Sequence, residues 1–283
     1  MTYSIQKLFV TLCLQVTVTS VSIASTNPPL LPDWLALEFE ERAFWATAKS
    51  RLEVGKLSED SCLWELRVDS SVVGNSEQIS LDFDPSDGSV AKRVRLSTGK
   101  RGKEQRLKAF EYGPDEIIRE RRTPGENPQQ APRDWPLASR INIDYPITAD
   151  QFVVTSPHLL IVLAQQLQRL GTGASRELLV HTDWNFYRVR MTVGNGIPIE
   201  ANYTISENSS FTGKRETVAV VIQADPEGEL TEKPDFRVLG LSGYIIVFFD
   251  KVTGLPLQVR GTAPRIGDTD INLRAVTMRS PSR

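Results

Sequence analysis

The chain has 283 residues, of which 40% are hydrophobic and 24% charged, ordinary usage for a folded globular protein. Disordered, collagen-like and multi-span membrane classes are excluded on that ground, and the length admits one or two domains. Thirty-three basic against 35 acidic side chains leave a formal charge of −2, so no global field points to nucleic acid.

Lys7 precedes an uncharged stretch from Leu8 to Ala24, and Ser22-Ile23-Ala24 supplies the small residues of a cleavage site after Ala24. Residues 1–24 are thus expected to be a secretory signal peptide. Gln15 and the run of Thr and Ser make the stretch too polar for a retained spanning helix, so no integral span is expected after cleavage. Residues 25–283 are then a single β-rich domain, secreted and best suited to a bacterial periplasm. Cys13 falls inside the signal, which leaves Cys62 alone and rules out an internal disulfide; a buried, inert thiol is expected there.

Trp34 to Val54 alternates apolar and polar residues without forming a single helical stripe, which favours strand over helix. Ile79, Leu81 and Phe83 lead into Asp84-Pro85-Ser86-Asp87-Gly88, and Val90, Val94 and Leu96 follow, the pattern of a hairpin. Gly113-Pro114-Asp115 separates a second pair, Arg106 to Tyr112 and Glu116 to Arg122, whose outward positions are mostly charged, as in neighbouring antiparallel strands with one wet face. Four prolines between Thr123 and Pro136 mark an exposed loop.

Ser156-Pro157 starts a helix and Gly171 stops it. Leu159, Leu160, Leu163, Leu167 and Leu170 share one face of it, while Gln165, Gln168 and Arg169 lie off that face. Tyr187 to Val193 and Ile197 to Ile205 flank Asn195-Gly196, a strong hairpin signal. Four more strands follow, at Thr217 to Gln223, Tyr244 to Phe249, Leu255 to Gly261 and Asp270 to Met278. The resulting expectation is a mainly β protein, a curved antiparallel sheet or half-barrel packed around one principal helix.

Candidate chemistry is sparse. His158 and His181 are the two histidines, and no G-x-S-x-G, H-E-x-x-H or C-x-x-C motif is present. His181 reads as a hydrogen-bonded strand residue and His158 as a neutral group in the first helical turn. Asp82, Asp84, Ser86 and Asp87 begin like a calcium loop, but Asp87 stands where glycine is needed and Arg93 where the bidentate glutamate belongs. Turn chemistry accounts for them better. Nothing calls for a cofactor or a metal. Lys92, Arg93, Arg95, Lys100, Arg101, Lys103, Arg106 and Lys108 stand against Glu104 alone, a local balance of +7. They read either as a solvated hairpin end that protects strand edges or as a docking surface for anionic lipid or an acidic envelope partner.

The closing run from Tyr244 through Lys251-Val252-Thr253-Gly254 to Arg260, a strand, a turn and a Leu-Pro-Leu strand, resembles secreted bacterial β-rich proteins of unknown function. In plan it is similar to lipoprotein-carrier half-barrels. That resemblance implies an envelope role and an apolar groove, and transfers no catalytic residue. The expected function is accordingly non-enzymatic binding of an apolar or amphipathic ligand, or of an envelope partner. A hydrolase built on Asp144, Asp183 and Asp250, or a scaffolding module without a ligand, are the alternatives.

Overall fold

The computed structural model describes residues 31–43, 46–100, 104–127, 129–146, 151–205, 209–264 and 266–279; the signal segment lies outside the described residues. The elements in chain order are β1 (Trp34–Ala43), β2 (Ala46–Lys56), β3 (Trp64–Val72), β4 (Asn75–Phe83), β5 (Val90–Thr98), β6 (Arg106–Tyr112), β7 (Glu116–Arg122), β8 (Leu137–Asp144) and β9 (Val154–Thr155). Then come α1 (Leu160–Gln168), β10 (Ser175–His181), β11 (Phe186–Asn195), β12 (Ile199–Ile205), β13 (Ser209–Arg215), β14 (Thr217–Pro226), β15 (Ser242–Asp250), β16 (Pro256–Ala263) and β17 (Gly267–Met278).

Pairing runs as one antiparallel ribbon in the order β10, β11, β14, β15, β16, β17, β1, β2, and on through β8. The short β9 joins β10 in parallel at one end. The sheet is strongly curved and not closed, which agrees with the expected fold class. The stretch from Trp34 to Val54 is extended, as expected, and folds on itself as the β1–β2 pair. Its period of two is physical: Leu37, Phe39, Leu52, Val54, Leu66, Val68, Ile79, Leu81 and Phe83 point to one face and are buried.

A 3₁₀ turn over Pro157–Leu159 runs into α1, which rests on β11, β14 and β15. Leu160, Ile161, Val162, Leu163, Ala164, Gln165 and Leu167 are all buried. A helix apolar nearly all round is a core element filling the concave face, and no one-sided cover. Two expectations are corrected here. Gln165 is fully buried, and its Oε1 accepts a hydrogen bond of 2.7 Å from Trp34 Nε1 that supplies part of the hydration it loses. Leu170, placed on the apolar face by spacing, is 76% exposed because the helix has already ended at Gln168. Gly171 supplies the stop with a φ of +91°.

The Asn195-Gly196 hairpin does not form. β11 pairs with β14 along its length, down to Asn195 opposite Val218, and β12 pairs instead with β13. Gly196 lacks the positive φ that a two-residue hairpin turn demands. Its use is close approach: a Cβ there would lie 2.5 Å from the backbone oxygen of Thr217, whose hydroxyl donates to Ile197 O at 2.5 Å. Gly196→Ala is therefore expected to destabilise the chain by about 1–3 kcal/mol, the range for overpacking. Urea unfolding checks it, and a loss under about 0.5 kcal/mol would mean that the corner relaxes freely.

Cys62 is exposed in the connection between β2 and β3, so the expectation of a buried thiol is overturned. The Asp84–Gly88 segment is turn chemistry as expected: Asp84 Oδ1 accepts from Ser86 N at 2.7 Å, and Asp87 Oδ1 from Ser89 N at 2.8 Å. The proline-rich loop joins the adjacent strands β7 and β8. It is mostly exposed, but Trp135 is buried and donates through Nε1 to Gln130 O at 3.0 Å.

Candidate functional site

β10 and β11 are joined by a tight turn in which Thr182 and Asn185 bond to each other through backbone and hydroxyl, between 2.8 and 3.0 Å. The tip of this hairpin, His181 to Phe186, seats against the concave face of β5, β6 and β7. Arg93, 1% exposed, holds it by donating to His181 O at 2.8 Å and Thr182 O at 2.6 Å. The Arg93 guanidinium also lies over the Phe110 ring, 4.1 Å from its centroid.

Asp183 is the anion of this seat. Its Oδ2 accepts from Arg95 and, at 2.5 Å, from Lys108 Nζ, while Oδ1 lies 3.7 Å from Arg93. Burial by itself would push the Asp183 carboxyl up, but the charges of Arg95, Arg93 and Lys108 outweigh it and hold the group well below the usual carboxylate range. Arg95 is also paired with Glu77. On the other side of the tip, Asp235 Oδ1 accepts from Thr182, Asn185 and Tyr187 between 2.8 and 3.2 Å and ties down the segment before β15.

His181 is buried among Phe110, Tyr112 and Phe186, with ring centroids 4.8–5.7 Å away, and its Nδ1 is 3.2 Å from the Tyr112 hydroxyl. Burial, helped by Arg93, keeps the ring neutral far below its ordinary value. This is the hydrogen-bonded strand histidine that the sequence led us to expect. His158, partly buried, is pushed down to about 3 by burial and by Arg93 and Arg95. Both histidines are thus poor proton acceptors near neutrality.

The eight basic residues of the Lys92–Lys108 segment divide. Lys92, Lys100 and Arg106 are exposed; Arg101 and Lys103 lie outside the described residues. Arg93, Arg95 and Lys108 do not belong to an outward surface, because alternation along β5 and β6 turns them to the concave side. β7 adds two cations to that side that the sequence did not single out, Arg119 and Arg121. Arg119 is 6% exposed and stacks 3.9 Å above Trp184.

The three carboxylates of the hydrolase alternative stand in separate settings. Asp144 is exposed at the end of β8, and Asp183 is clamped by cations. Asp250 accepts from Val252 N at 2.9 Å in the turn before β16, with Arg215 at 3.4 Å. Among the described residues, no three His, Cys, Asp or Glu side chains are grouped so as to hold a metal. A shallow groove of about 370 Å³ runs across β1 to β4 and reaches β17, lined among others by Glu38, Lys49, Ser70, Glu77 and Arg274.

No protein-family model and no curated protein matches this chain. Among solved structures, it is similar to a β-barrel-like protein of the domain of unknown function DUF1849 from Brucella abortus. The two share 9% identity over 87% of this chain and 96% of that one, at a TM-score of 0.46. Likeness at that level records a comparable β-rich outline and carries no residue role across.

Proposed function

We propose that the protein is a non-enzymatic binding protein of the bacterial envelope, exported by residues 1–24, whose ligand is amphipathic. The observation that supports this reading is how the concave face is divided. Its apolar part, around β11, β14 and β15, is filled by α1 of the same chain, which leaves little room for a purely apolar guest. Its other part, on β5 to β7, is covered at Arg93 and Phe110 by the β10–β11 tip, while Lys108, Arg121 and the part-exposed Trp184 form a cationic and aromatic margin suited to a ligand that carries an anionic group on an apolar body. The acid and base groups gathered there are committed to structure: Asp183 to ion pairs and His181 to a buried ring cluster. Among the described residues, no helix is long and apolar enough to cross a membrane.

The test is to incubate the processed chain, residues 25–283, with a total lipid extract of envelope membranes, reisolate it by gel filtration and examine it by native mass spectrometry. An adduct of lipid mass that denaturation releases is the expected result. Protein that emerges with its bare mass would sink the reading. In the same spectra, export predicts an N-terminus at Ser25 for protein recovered from cells, and an intact Met1 to Ala24 would remove the envelope assignment.

A further inference from the structure

The structure assigns an anion site to the concave face of β7, where Arg121 stands opposite Lys108 and two residues from Arg119, the latter two packed on Trp184, and we infer that it takes a phosphate monoester group. The inference rests on the binding reading above and names the chemistry of the ligand's polar end.

Register places Arg95, Lys108 and Arg121 opposite one another on three adjacent strands, about 4.8 Å from strand to strand. Arg93, Phe110 and Arg119 form the neighbouring row on the same face. Like charges directly across a sheet destabilise it. Among the described residues, the carboxylates that touch these five cations are Asp183 and Glu77, which leaves a surplus of three positive charges on a half-buried wall.

The surplus is not spread evenly. Asp183 serves Arg93, Arg95 and Lys108, and Glu77 serves Arg95. Arg119 has one long bond of 3.4 Å to a backbone oxygen, and its Nε is buried without a partner. Arg121 has a buried Nε with no partner and no carboxylate within pairing distance among the described residues. Two guanidiniums two residues apart on a strand stand on one face roughly 6.6 Å apart, close enough for one tetrahedral anion to bridge them. Buried charges are ordinarily paired, so a built-in excess of fixed N–H donors points to an anion as their partner. The part of Trp184 that Arg119 leaves exposed supplies an apolar contact for whatever carries the phosphate.

A free phosphate ester and a lipid phosphate share this chemistry, and the test separates them. Inorganic phosphate and, in a second arm, short-chain phosphatidic acid are titrated into the processed chain and followed by tryptophan fluorescence and thermal unfolding, with Arg121→Gln and Lys92→Gln as variants. Lys92 is exposed on the opposite face. Phosphate is expected to raise the melting temperature of the wild-type protein. R121Q should weaken binding at least tenfold while leaving the unliganded protein as stable as before or more so, since it removes a repulsion. K92Q should change nothing. Phosphate binding without phosphatidic acid binding keeps the site and removes the amphipathic ligand. No response to either probe, or equal affinity in R121Q, overturns the site while leaving the lipid-adduct experiment to decide the broader reading.

Discussion

Replacing Asp183 by alanine is expected to lower stability by about 3–5 kcal/mol, the cost of removing one partner from a buried ion cluster. The reason is the number of cations that depend on it. Arg93 and Lys108 are 1% and 19% exposed at the side chain, and both face this carboxylate together with Arg95. Without it, the five cations of that half-buried wall, three of them stripped of their direct partner, face Glu77 alone as counter-charge. Their mutual repulsion would push the hairpin tip off its seat and expose Phe110 and His181. Urea unfolding of D183A gives the loss directly. The double variant D183A/K108M should recover part of it, because the second change removes one of the stranded cations. A loss below about 1 kcal/mol in D183A, with nothing recovered in the double variant, would show that solvent already screens the cluster.

How far this arrangement was legible in the sequence depends on the reach of each signal. Short-range chemistry was readable: Gly113-Pro114-Asp115 bounds β6 and β7 as expected, and the Asp84–Gly88 turn closes through its own side chains. The apolar face of α1 was visible in its leucines, although its spacing did not show that the opposite side would be buried as well. The hairpin at Asn195-Gly196 failed because a local turn signal competed with a tertiary one. The long pairing of β11 with β14 fixes where Gly196 lies, and glycine serves there to let Thr217 approach.

The charged seat was harder to read. Asp183 is separated by 88 residues from Arg95 and by 75 from Lys108, and no local pattern announces such a meeting. β7 reads Arg119-Glu120-Arg121-Arg122, with charge on both faces, so its period of two is invisible to a hydrophobic pattern. The usable signal was subtler: Arg93 with Arg95, and Arg119 with Arg121, are each spaced by two, which places both members of a pair on one face. Once β5, β6 and β7 are laid side by side in register, these pairs fall on one face, the face that the β10–β11 tip covers.

Stability is also expected to fall steeply on the acid side of neutrality, and the two histidines set where the fall begins. In the unfolded chain each imidazole takes up a proton near its ordinary pKa of about 6.5. In the folded chain burial holds His181 neutral far below that value, and holds His158 down to about 3. Between those limits the unfolded state binds more protons than the folded one, so the stability present above pH 6.5 is lost as pH drops. Each histidine contributes at most about 1.4 kcal/mol per pH unit, and the pair about 2.7. The depressed Asp183 carboxyl acts in the same sense but later, since the unfolded chain protonates a carboxylate only near pH 4. The profile should therefore be flat from pH 8 to 7, slope from about 6.5, and steepen below 4. His181→Phe, placed among rings that can accept another aromatic side chain, should remove one histidine's share and make the slope between pH 6 and 4.5 shallower by about half. Urea midpoints at pH 8.0, 6.5, 5.5 and 4.5 measure both effects. Equal midpoints across that series, or an H181F slope indistinguishable from that of the wild type, would mean that protons reach these rings in the folded state and that the seat is wetter than its packing implies.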